Sequence, residues 1–313
     1  MIKLLLFICL VAGSFSVLEA QTVSVKIITA VKNNDINEVR VLLDNGADPN
    51  SYDEDGDHIL MIASLYASAD CMQLLISKGS NVNAKNKIDE TALMWAVHDP
   101  AKMKLLLQHG ADVNIKAKSG NTALLIAVVA HGNHEVVKLL LDKGADPFAV
   151  NNRKENALMR AALFNDTTTL SLLLGKGINI NAISGDSTTA LLNAALNVNS
   201  PAVIYLLEKG ADPDQVCTFG LTAISASATY NDLTSVKAIL KKAKKINTQG
   251  GGGITPLMWA VYNEYDNVEI IKELLEKGAD VNSKANDGST ALSWALKKGN
   301  TNTVDILRKA GAK

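Results

Sequence analysis

Thr122-Ala-Leu-Leu-Ile-Ala127, followed by Gly144-Ala-Asp-Pro147, is one instance of a phrase that recurs along this chain of 313 residues. Its first half returns as Thr91-Ala-Leu-Met-Trp-Ala96, Thr189-Ala-Leu-Leu-Asn-Ala194, Thr255-Pro-Leu-Met-Trp-Ala260 and Thr290-Ala-Leu-Ser-Trp-Ala295. Its second half returns as Gly46-Ala-Asp-Pro-Asn50, Gly110-Ala-Asp-Val-Asn114, Gly210-Ala-Asp-Pro213 and Gly278-Ala-Asp-Val-Asn282. Ala30, Ala63, Ala96, Ala127, Ala161, Ala194, Ser227, Ala260 and Ala295 mark the register, at spacings of 33, 33, 31, 34, 33, 33, 33 and 35. A period between roughly 20 and 50 residues is the signature of stacked supersecondary units. Such an array displays a long surface and encloses no pocket, which favours binding over catalysis.

Each of the nine units carries two short helical patterns. A hydroxyl such as that of Thr91 can cap the first helix, with Leu93 and Ala96 three apart on one face. The small Ala lets a second helix approach. That helix supplies apolar pairs such as Leu42-Leu43, Leu139-Leu140 and Leu274-Leu275. The Gly that follows is a left-handed helix stop, a conformation Gly adopts without steric penalty. Polar stretches such as Asp53-Glu-Asp-Gly56 and Asn286-Asp-Gly288 are hairpin-turn sequences. Unit 7 lacks the stop and reads Ala243-Lys-Lys-Ile-Asn247, so its second helix is expected to end irregularly.

Helix, turn, helix, stop and hairpin tip at a period of 33 resembles the ankyrin repeat. The resemblance covers residues 22–313 and implies an all-α fold, an ankyrin-repeat solenoid of helix-turn-helix units with hairpin-like tips, the terminal units acting as caps. The departures are Ala after Thr where the family favours Pro, kept only at Thr255-Pro256, and Met94, Met159 or Met258 where it favours His.

The formal net charge of −1 and pI of about 6.5 give no footprint for nucleic acid or an anionic membrane. Residues 1–20 differ in kind. Lys3, the apolar run Leu4–Ala12 and the small-residue end at Ala20 read as a secretory signal peptide cut before Gln21, leaving a domain of 21–313. The alternative is an uncleaved anchor, although the run is short for a membrane span. After cleavage no segment is expected to insert in a membrane. The short signal and the Asn- and Lys-rich style lean towards a bacterial protein, periplasmic or secreted. Asn165-Asp166-Thr167 is a glycosylation acceptor sequence that matters only in a eukaryotic host.

Chemistry is sparse. Cys71 in unit 2 and Cys217 in unit 6 are too distant in a linear stack for a disulfide. Cys71 reads as a buried small hydrophobe, and Cys217, near a tip, as a free thiol. His131 and His134 lack a third ligand, so no metal is expected. Gly250–Gly253 lacks the Lys of a phosphate loop and reads as a floppy tip. Lys241, Lys242, Lys244 and Lys245 form the one basic cluster, either a solvated helix end or a dock for an acidic partner. No catalytic constellation and no cofactor site emerge.

The resemblance implies that a partner is held by tips and first-helix ends along the concave face. The candidate residues are Arg153, Arg160, Phe164, Asn193, Phe219 and Tyr230 in units 4–7, with Tyr66 and Tyr262 beyond them. Arg and aromatics are the residue types that anchor interfaces, though Tyr66 and Phe164 can equally serve only to cover the loop below them. The expectation is an exported, monomeric, non-catalytic module that binds another protein. The alternative is a structural or protective envelope protein with many weak contacts.

Overall fold

The computed structural model describes residues 23–164, 166–262 and 268–313. The proposed signal peptide and the Asn165 acceptor lie outside the described residues. The chain forms two compact units. One holds the described residues through Ala127 with Glu135–Asp146, the other Val128–His134 with Pro147–Lys313. Both are all-α. Among the described residues the only extended pairings are two isolated bridges at hairpin tips, Tyr52 with His58 and Val150 with Asn156.

In the first unit the first helices of successive repeats are α1 (23–32), α3 (Ile59–Tyr66), α5 (Ala92–Trp95) and α7 (Ala123–Ala127). The second helices are α2 (Ile36–Asp44), α4 (Ala69–Ser77), α6 (Pro100–Gln108) and α8 (His134–Asp142). The second unit continues the alternation. Its first helices are α9 (Ala157–Phe164), α11 (Ala190–Leu196), α13 (Ala223–Thr229), α15 (Pro256–Tyr262) and α17 (Ala291–Lys298). Its second helices are α10 (Thr167–Gly175), α12 (Ser200–Glu208), α14 (Leu233–Leu240), α16 (Val268–Glu276) and α18 (Thr301–Lys309). Within this unit α9, α11, α13, α15 and α17 pack in sequence, as do the second helices from α10 to α18.

The register residues explain the stacking. Every one from Ala30 to Ala295, with Ser227 in the seventh place, is buried. Nothing larger than a methyl or hydroxymethyl group separates the helices there. Large apolar side chains such as Leu106, Leu140 and Ile239 fill the space on either side, each worth about 1.5–3 kcal/mol when fully buried. Ser227 carries a buried hydroxyl without a hydrogen-bond partner, as does Ser235. Both lie in the seventh repeat.

Caps follow the expected chemistry with exceptions. Thr189, Thr222 and Thr290 accept a hydrogen bond from the third residue of their helices, and the last two form capping boxes with Ser225 and Ser293. Thr91 makes no such bond; its helix is only four residues long. In the second repeat the cap is His58, whose Nδ1 accepts the Leu60 N–H and whose Nε2 donates to Asn50 Oδ1.

Asn50 begins the device that ties repeat to repeat. Its Nδ2 donates to the carbonyl of Gly79, the stop of the following repeat, at 3.3 Å, and its Oδ1 accepts the Asn81 N–H at 2.8 Å. Asn83 and Asn114 do the same with Gly110 and Asp112, and with Gly144 and Asp146. In the second unit Asn181, Asn247 and Asn282 repeat the pattern. The left-handed Gly turns its carbonyl out of the helix, where the amide meets it.

Two repeats depart from this rule. Phe148 stands at the Asn position, and a phenyl ring can form neither bond. Asp214 stands there one repeat before the missing stop Gly. Its carboxylate accepts the N–H groups of Lys244 and Lys245 at 3.0–3.1 Å. With no Gly carbonyl to receive a donor, an acceptor-only side chain suits the site. α14 accordingly ends at Lys241 in right-handed helical geometry.

Tips are also joined by backbone. The carbonyls of Arg153, Asp186, Phe219 and Gly252 accept the N–H groups of Gly185, Thr218, Gly251 and Asn286. Gly250–Gly253 is therefore not the floppy turn that its composition suggests. A Cβ on Gly220 would lie 2.5 Å from Gly250, and one on Gly253 would lie 2.6 Å from Asn286. These glycines allow backbone to approach backbone. Cys217 is a free thiol as expected, although buried, and Cys71 is buried as expected, its thiol pushed up to about 11 by burial.

Two predictions follow from these contacts. Asp214→Ala should speed hydrogen exchange at the Lys244 and Lys245 amides and cost about 0.5–1.5 kcal/mol; Gly251, held by Phe219, should stay protected. Unchanged exchange at 244 and 245 would refute the role of the carboxylate. Burial pushes His58 down to about 4 from its usual 6.5. Below 6.5 an unfolded imidazole takes up a proton that the folded one refuses. Stability is thus full above 6.5 and declines as pH falls to about 4, by on the order of 3 kcal/mol. His58→Thr, which supplies the cap used elsewhere, should flatten that part of the stability profile. A slope that persists in the variant would assign it to carboxylates.

Candidate protein-binding surface

Seven of the residues singled out from sequence lie in the second unit on tips and first helices, and the structure sets Arg160 and Asn193 apart from the exposed rest. Arg160 and Asn193 occupy the place just before the register Ala. Both are half-buried and engaged internally. Arg160 Nη1 donates to Glu155 Oε2 at 3.1 Å, and the same carboxylate accepts from Asn151 Nδ2 at 2.7 Å. Asn193 Nδ2 donates to the Met159 carbonyl of the preceding repeat at 2.9 Å. In the first unit Trp95 does what Arg160 does, its Nε1 donating to Glu90 Oε2 at 2.7 Å. Arg160 and Asn193, polar where other repeats carry Ile62, Trp95, Ile126, Trp259 and Trp294, are thus paired within the framework itself.

Phe164, Phe219 and Tyr230 behave differently. They are 48%, 67% and 52% exposed. Phe164 ends α9, Tyr230 caps α13 and Phe219 stands on the tip between them in sequence. Their backbones are fixed although their rings are not. The Phe164 carbonyl accepts from His131 Nδ1 at 2.7 Å, the Tyr230 N–H donates to the Ala226 carbonyl, and Phe219 belongs to the tip ladder. Equivalent helix ends two repeats apart lie roughly 20 Å from each other when helices pack at 8–10 Å. Arg153 is exposed on the first tip of the unit, its carbonyl holding Gly185 at 2.8 Å.

Tyr262 is exposed but set among other rings. It packs edge-on against Trp259 and Trp294 at 5.8 Å, and Lys298 Nζ lies 4.9 Å above it. Tyr66 is exposed at the end of α3 in the first unit. The charge along the second unit's tips is mixed. Asp186 faces the same ladder as Arg153, and a hydrogen bond from the Ser184 hydroxyl holds its carboxyl below the usual range.

Phe148, Val150 and Ile183, outside the candidates drawn from sequence, are also large, apolar and at least two-fifths exposed in the second unit. A signal was present: Gly144-Ala-Asp-Pro147 lacks the Asn that closes the phrase elsewhere, and Phe148 takes its place. Among the described residues no group of three or more His, Cys, Asp or Glu is placed to hold a metal. No described helix is long and apolar enough to cross a membrane.

Comparison with known proteins agrees with this geometry. The family model for ankyrin repeats, taken three copies at a time, matches residues 27–117, 98–184, 125–217, 158–250, 191–285 and 224–313. An ankyrin repeat protein of Acanthamoeba polyphaga mimivirus is 33% identical over 132 residues, 41% of this chain and 62% of the viral protein. The match therefore spans less than two thirds of that relative. Stop glycines, buried register residues and profile agree along almost the whole chain: it belongs to the ankyrin repeat family.

Proposed function

We propose that this chain is an exported, monomeric, non-catalytic module that holds another protein against the tips and first-helix ends of its second unit. Ankyrin repeats are a non-enzymatic protein-interaction fold, and protein partners are what the fold serves. The narrower reading rests on one observation: three exposed aromatic rings, Phe164, Phe219 and Tyr230, stand on rigid backbone where aromatics are only 4% of the chain. Arg160 and Asn193, half-buried on the same run of repeats, are already hydrogen-bonded within the framework. Arg153 supplies a charged rim. Arg160 and Asn193 support the surface from within, and Tyr66 and Tyr262 flank it in sequence.

Photo-crosslinking residues placed at 164 and 230 in the native host should each yield one dominant adduct, and the same residue at 171 on α10 should not. Phe164→Ala and Tyr230→Ala should each weaken that complex by about 1–2 kcal/mol while leaving the melting curve unmoved, since neither ring is buried. Asn193→Ala should do the reverse, costing about 1 kcal/mol of stability through the lost bond to the Met159 carbonyl of the preceding repeat. Full-strength binding by both aromatic variants, with loss at Tyr66 or Trp294, would move the site elsewhere. The export part is read from the mature terminus. The protein recovered from its host should begin at Gln21, and an intact Met1 on a membrane-held protein would make residues 4–18 an anchor.

A further inference from the structure

The outer face of the second unit carries a groove of about 450 Å³ between α12 and α14. Ile204, Leu207 and Ala238 line its apolar part. Lys241 and Lys242 stand on its rim, with Glu208 opposite in charge. It lies on second helices, away from the tips and first-helix ends considered above.

Two departures from the repeat make this groove. With the repeats aligned on their stop glycine, or on Ala243 in the seventh repeat, which lacks it, Ile204 falls where every other repeat has a polar residue, among them Lys104, Lys138, Lys237 and Lys272. A branched apolar side chain there remains 36% exposed. Ala238 falls where the other repeats carry larger side chains, among them Leu74, Leu105, Leu139, Leu172 and Tyr205. The small residue leaves room that Leu would fill. Apolar side chain and missing bulk face each other across one helix pair, and no other described pair combines them.

The rim explains what the groove accepts. Lys241 and Lys242 belong to the one basic run of the chain, continued by Lys244 and Lys245. All four are exposed, and none forms an ion pair among the described residues. Lys237, on the same groove, is neutralised by Glu273 at 3.3 Å. Asp214 fixes the backbone of Lys244 and Lys245, so the run departs from α14 in one direction. An apolar floor bordered by unpaired cations suits a segment that carries acids beside an apolar stripe. Two parallel ridges with a trough between them suit a helix laid lengthwise. Nucleic acid would leave the apolar floor unused and would meet Glu208.

We propose that the α12–α14 groove docks an amphipathic helix of a partner protein, its apolar stripe on Ile204 and Ala238, above the buried Leu207, and its acidic flank on Lys241 and Lys242. The site is independent of the tip surface, so either reading can fail without the other.

The test uses the full chain and a fluorescent peptide of about fourteen residues, four helical turns, built of Ala, Leu on one face and Glu beside it. The peptide should bind the unaltered chain, and a version with Lys for Glu should not. Ala238→Leu fills the trough with the residue other repeats carry. Ile204→Lys restores their polar rule. Both should keep the melting temperature and lower the affinity at least about tenfold. Lys241→Glu with Lys242→Glu should do likewise, and raising salt from about 0.05 M to 0.5 M should weaken wild-type binding. The proposal is overturned if the Glu peptide fails to bind the unaltered chain at millimolar concentration. It is also overturned if folded Ala238→Leu and Ile204→Lys bind as tightly as the parent, or if the Lys peptide binds equally. Binding of phosphatidylglycerol vesicles that Ala238→Leu leaves untouched, without peptide binding, would make the patch a membrane contact and overturn it too.

Discussion

At six junctions a side-chain amide, from Asn50, Asn83, Asn114, Asn181, Asn247 or Asn282, ties one repeat to the next. The Asn that closes each phrase has one donor and one acceptor to place, and the next repeat offers a turned-out Gly carbonyl and an N–H two residues later. A single net hydrogen bond is worth about 0.5–1.5 kcal/mol, so no bridge holds the stack alone. Its value is register. The amide fits only if the stop Gly is left-handed and the helices are seated at the small register residue. Hydrophobic burial supplies most of the free energy, and it is non-directional. The bridge selects which of the possible seatings is used.

The exceptions obey the same chemistry. Where the Gly carbonyl is missing, the bridging residue is Asp214, and both groups it meets are donors. Donor and acceptor change together on two repeats. At Phe148 the bridge is given up and an exposed ring is gained. At Ile204 and Ala238 the outer face gives up a polar residue and bulk. Positions that break a repeat's rule without a packing gain are where a binding role is to be sought, since nothing in the stack requires them.

Much of this was legible in the sequence. The period, the small register residue and the stop Gly each have a local physical cause, so the helix pairs, the tips and the buried Leu rows followed from them. The irregular end of the seventh repeat was legible for the same reason. What was not legible depends on contacts between repeats. Gly250–Gly253 looks slack in one dimension and is packed against Gly220 and Asn286 in three. Cys217 and His58 lie on polar stretches and are nonetheless buried. Arg160 and Asn193 look like free polar anchors until Glu155 and the Met159 carbonyl are placed beside them. The exposed rings at Phe164, Phe219 and Tyr230 were legible once the family resemblance was combined with the register, because a surface position in one repeat is a surface position in the next.

The locking of repeat to repeat by the Asn side-chain amides, where they are present, is tested most directly by residue-resolved hydrogen exchange. The N–H groups of Asn81, Asp112, Asp146, Asp212 and Asp280 lie outside helices, and each is bonded to the Asn side chain of the preceding repeat. They should exchange at least about a hundredfold more slowly than unstructured amides, and Asn181→Ala should release Asp212 while leaving Asp280 protected. Exchange of all five at unstructured rates, or release of Asp280 together with Asp212, would contradict the account.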